Sequence, residues 1–68
     1  MNLKYEMAAE LRRLRLDMEL HQQDLADELG VSRKTLSWWE NAHTPVPAYM
    51  FEAVRRMNCA LKNENLER

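Results

Sequence analysis

One glycine, two prolines and one cysteine in 68 residues remove several fold classes at the outset. Strand hairpins and bulges rely on turn residues that this chain barely has. The single cysteine, Cys59, cannot form an intramolecular disulfide, and no Cys or His spacing matches a zinc site. Cys59 reads as a small apolar residue near a helix end. His21 and His43 have no partner pattern, so neither a metal nor a cofactor is expected. No apolar run approaches membrane-spanning length, and no signal peptide opens the chain. A cytoplasmic protein with no membrane partner is therefore expected. Carboxylates are plentiful, yet no nucleophile, base and orienter set is visible, so no enzyme is expected.

What the chain has in quantity is Leu, Glu, Arg, Ala and Met, all of which favour helix. The expectation is an all-α fold, compact, of four or five helices, in a single domain over residues 1–68. A chain this short buries a small core and gains modest stability, to which a partner chain would add. The net charge is −1, which by itself does not suggest nucleic acid. Its distribution says more. Residues 1–30 hold four basic and seven acidic side chains, whereas residues 31–58 hold Arg33, Lys34, Arg55 and Arg56 against Glu40 and Glu52. The positive excess begins at "GVSRKTLSWWEN", residues 30–41.

Met7, Leu11, Leu14 and Met18 recur on one helical face and predict a first helix over residues 4–18. Leu25, Ala26 and Leu29 form a second, shorter stripe that Gly30 terminates. Ser32 is a good N-cap for a third helix from about Arg33 to Asn41. "HTPVP" breaks that helix, because two prolines enforce extended backbone. A fourth helix over about Ala48–Asn58 offers Met50, Phe51, Val54 and Met57 to the core. The last stretch, "ALKNENLER", has helix formers and little to bury, and reads as a short fifth helix or a frayed tail.

Two adjacent tryptophans cannot share one helical face, since successive residues are about 100° apart. With Leu36 at the origin of a helical wheel, Trp39 falls about 60° to one side and Glu40 about 40° to the other. Trp38 and Lys34 both fall about 160° away. Leu36 and Trp39 therefore face the core, with Val31 leading in. Lys34, Ser37, Trp38 and Asn41 face outward, with Arg33 at the leading edge. A helix presenting such side chains after a short helix and a tight turn fits the major groove of B-DNA.

From Leu11 to Pro47 the order and spacing of residues resemble the Cro/C1-type helix-turn-helix domain, the λ-repressor-like or XRE family. The likeness covers about residues 7–58. It is carried by Leu11, Leu14, Arg15, "QQDLA" at 22–26, "LGVS" at 29–32, Leu36, "WE" at 39–40 and Pro47. The resemblance implies a helix-turn-helix at about residues 22–41 whose second helix reads DNA. It implies base contacts by Arg33, Lys34, Ser37 and Trp38. Phosphate contacts would come from Gln22, Thr35, Asn41, His43 and Thr44. It further implies an ion pair between Arg15 and Glu40, close helix crossing at Ala26, and a dimer contact within residues 59–68 through Cys59, Leu61 and Leu66.

Three positions depart from the pattern. Glu19 stands where the family often has glycine, so a strained residue or a different turn is expected there. Ala42 replaces another favoured glycine, and Asn41 is expected to take the left-handed cap instead. His21 replaces the usual Ser, Thr or Asn cap. The functional expectation is a sequence-specific transcriptional regulator, a repressor of phage or mobile-element type that binds a pseudo-palindromic operator as a homodimer. An autorepressor beside an anti-CRISPR or similar operon fits that class. An antitoxin, with a toxin as protein partner, is the first alternative. A protein-interaction module without DNA binding is the second, with Trp38 in a protein interface and Arg33 and Lys34 as solvated charges.

Overall fold

The computed structural model describes the backbone of residues 3–66 and the side chains of residues 3–62. Its elements are four helices: α1 (Leu3–Asp17), α2 (Gln22–Leu29), α3 (Arg33–Glu40) and α4 (Ala48–Leu66). Leu11, Leu25, Leu36 and Val54 are fully buried, one from each helix. Burying such a side chain contributes roughly 1.5–3 kcal/mol each. Leu14, Ala26, Trp39 and Val46 complete the core, and Met7, Met18, Met50, Phe51 and Met57 pack against its edge. α1 lies on both α3 and α4, while α2 packs on α3.

Three of the helices stop in the same way. At the end of α1, Leu20 N–H donates to the Arg15 carbonyl at 3.2 Å and Glu19 N–H to the Leu16 carbonyl at 2.9 Å. At the end of α2, Val31 and Gly30 donate to Ala26 and Asp27 at 3.0 and 3.2 Å. At the end of α3, His43 and Ala42 donate to Trp38 and Trp39 at 2.9 and 3.2 Å. This is the Schellman arrangement, which needs one left-handed residue. Glu19 (φ 60°), Gly30 (φ 73°) and Ala42 (φ 61°) fill that place. Only Gly30 does so without a Cβ penalty.

Two expectations are corrected here. Asn41 is not the left-handed residue: its φ is −96°, and Ala42 takes that conformation with its methyl group buried. Nor is there a separate fifth helix or a frayed tail before Leu66, because α4 runs unbroken from Ala48 to Leu66. Its later turns are tied back to α1. Asn58 Nδ2 donates to Asp17 Oδ2 at 2.9 Å, and Lys62 Nζ lies 3.1 Å from the same oxygen. These contacts, the Asn58 hydrogen bond foremost, hold the Asp17 carboxyl below its ordinary pKa.

Candidate nucleic-acid interface

The turn between α2 and α3 is built from local chemistry. Asp24 reaches back to accept from His21 N–H at 3.1 Å, which caps α2 although His21 is a poor capping residue. Ser32 Oγ accepts from Thr35 N–H at 3.1 Å and caps α3. Ala26 is fully buried where α2 meets α3, and a larger side chain there would push the helices apart.

Behind the turn lies a buried polar hub. Arg15 meets Glu40 through two bonds, Nε to Oε2 at 2.7 Å and Nη2 to Oε1 at 3.1 Å. Arg15 Nη1 donates to the Leu20 carbonyl at 2.8 Å, and Gln22 Nε2 donates to Glu40 Oε1 at 3.1 Å. The side chains of Arg15 and Glu40 are only 10% and 2% exposed. The hub joins α1, the turn after it, the first residue of α2 and the last residue of α3. Every buried side-chain polar atom among the described residues has a partner, so the charges are buried without an orphan. Glu40 is the one carboxylate of α3, and the hub holds it inward, neutralised by Arg15.

The opposite face of α3 therefore carries cations alone. Arg33, Lys34 and Trp38 are exposed, Trp38 at 45%. Lys34 Nζ sits 5.1 Å from the centre of the Trp38 ring. Ser37 is half-buried, and Asn41 Nδ2 donates to its carbonyl at 2.9 Å and to its Oγ at 3.2 Å. Thr35 is half-buried too, with its hydroxyl 2.9 Å from Ser32 Oγ. His43 and Thr44 are exposed in the loop that follows.

A search of protein-family models matches residues 6–61 to a family described as helix-turn-helix domain. The chain belongs to the helix-turn-helix family. Searches of curated proteins and of solved structures each found no match. The helix-turn-helix brings Arg33, Lys34, Ser37, Trp38 and Asn41 onto one face and leaves Thr35 near the start of its second helix. Gln22 differs from these, because its amide nitrogen already serves Glu40. Cys59 and Leu61 are exposed on α4 beyond the helix-turn-helix, Leu61 at 46%. The Leu66 side chain lies outside the described residues. Among the contacts that escape sequence reading are that of Lys34 with Trp38 and that of Arg15 with the Leu20 carbonyl. The first leaves a signal, an i, i+4 pairing of cation and aromatic. The second has none, because it depends on how the α1–α2 turn folds back. Among the described residues no group of His, Cys, Asp and Glu is arranged to hold a metal, and no helix is long and apolar enough to cross a membrane.

Proposed function

We propose that this helix-turn-helix protein is a Cro/C1-type transcriptional regulator, a cytoplasmic repressor that binds double-stranded operator DNA as a homodimer. The observation that carries the reading is the division of charge across α3. Its carboxylate is buried against Arg15, and its outer face presents Arg33, Lys34, Ser37 and Trp38, a set that can donate to base edges and pack on thymine methyl groups. Asn41, His43 and Thr44 follow the helix and suit phosphate contacts, as does Thr35 at its start. Gln22 can offer a phosphate only the second hydrogen of its amide, since the first is held by Glu40. The second copy docks through the later turns of α4, where Cys59 and Leu61 are exposed, with Leu66 as the third anchor. Two copies place two helices in successive major grooves, so half-sites lie about one helical turn apart.

The test is selection of bound sequences from a random DNA pool, followed by titration of the recovered site at rising salt. Log affinity should fall linearly with log salt, by about 0.9 for each phosphate neutralised. Recovery of a paired, inverted motif supports the dimer. A flat salt response contradicts the reading.

A further inference from the structure

We propose that Lys34 and Trp38 read DNA as one unit, the indole holding the lysine ammonium on a guanine while packing its own edge on the methyl group of a thymine one or two base pairs away. This deepens the proposed function and rests on it. Lysine is ordinarily a point charge on a flexible four-carbon stem, with little to fix its direction. Here its Nζ lies 5.1 Å from the Trp38 ring centre, inside the roughly 6 Å range in which a ring face attracts a cation. The two residues are one helical turn apart, so the contact needs no help from the rest of the fold. Among the described residues no carboxylate forms an ion pair with Lys34 and so competes with the ring for its ammonium.

The chemistry of the pair selects its target. An ammonium has three donors and no acceptor. One faces the ring, and the other two match the adjacent O6 and N7 acceptors that guanine alone shows in the major groove. Adenine offers N7 beside an amino donor, which repels the cation. Trp38 remains 45% exposed even with the lysine over its ring, so apolar ring surface is left for a partner. Thymine is the one base with a major-groove methyl group to meet it. Ammonium and indole are about one to two base steps apart, given a rise of about 3.4 Å per step. Each half-site should then contain a guanine and a thymine one or two base pairs apart, the thymine on either strand.

The experiment substitutes single atoms in the selected site and leaves the protein fold untouched. Replacing the contacted guanine by 7-deazaguanine removes N7, and affinity should fall about tenfold, as for loss of a good base contact. Inosine keeps O6 and N7 and should bind as guanine does. Deoxyuridine for the thymine removes one methyl group, and affinity should fall about fourfold. Lys34→Ala should abolish the response to 7-deazaguanine. Trp38→Ala should abolish the response to deoxyuridine and also weaken the response to 7-deazaguanine, although it leaves Lys34 in place. Trp38→Phe, which keeps an aromatic face, should restore the guanine response. An undiminished 7-deazaguanine response in Trp38→Ala overturns the coupling. Salt-dependent binding with no position sensitive to 7-deazaguanine or deoxyuridine overturns the inference and leaves the proposed function standing. Loss of all binding in the unaltered protein overturns both.

Discussion

Trp38 and Trp39 are neighbours in sequence, yet one is 45% exposed and the other 8%. The same contrast holds for charge. On the inner face of α3, Glu40 is buried and matched bond for bond by Arg15 and Gln22. On the outer face, Arg33 and Lys34 are exposed, and no carboxylate stands among them. One helix thus serves two purposes separated by half a turn. Its inner face converts apolar area and a buried ion pair into a fixed position, and its outer face keeps cations and an indole available to a partner. The contrast shows that residue type decides little here and angular position decides much.

The largest effect should come from breaking the inner face. Trp39→Ala leaves a cavity in the core and should cost about 3–5 kcal/mol, comparable to the whole stability of a domain this small. Thermal melting followed by circular dichroism should show no cooperative transition. Next in size is the hub. Arg15→Ala or Glu40→Ala alone leaves one buried charge unpaired and should cost about 3 kcal/mol. The double substitution should cost less than the sum of the two, and a double-mutant cycle by chemical denaturation measures the difference. Strict additivity would mean that the pair does not act as one. A smaller effect, of opposite sign, belongs to the turn that feeds the hub. Glu19→Gly relieves a left-handed residue that is exposed and should raise stability by roughly 0.5–1 kcal/mol, read as a rise in Tm. Ala42→Gly should gain less, because it also strips a buried methyl group.

The helices were legible because their apolar spacing is regular. Leu11 and Leu14 mark the buried side of α1, and a wheel drawn on Leu36 separates the two tryptophans correctly. The end of α4 was not legible. Residues 59–66 have helix-forming side chains but little to bury, and their anchor is the contact of Lys62 with Asp17, which no local pattern announces. The left-handed residue after α3 was misplaced for a physical reason. Asparagine tolerates that conformation better than alanine, so Asn41 was the better local choice. Tertiary packing decides otherwise, with Ala42 buried and His43 N–H closing on the Trp38 carbonyl. On the outer side of α3, the identity and face of Arg33, Lys34 and Trp38 could be read from the wheel. The stacking of Lys34 on Trp38 could not, since it depends on a lysine rotamer.

Acrylamide quenching of single-tryptophan variants, with and without the selected DNA, tests the division of α3 most directly. Trp38→Phe leaves Trp39 as the only tryptophan, and Trp39→Phe leaves Trp38, each excited at a wavelength that tyrosine does not absorb. Trp38 should be readily quenched in the free protein and shielded once DNA is bound. Trp39 should be poorly quenched in both states and unchanged by DNA. Shielding of Trp39 by DNA, or a Trp38 that stays as accessible on DNA as off it, would contradict the assignment of the outer face of α3 to the nucleic acid.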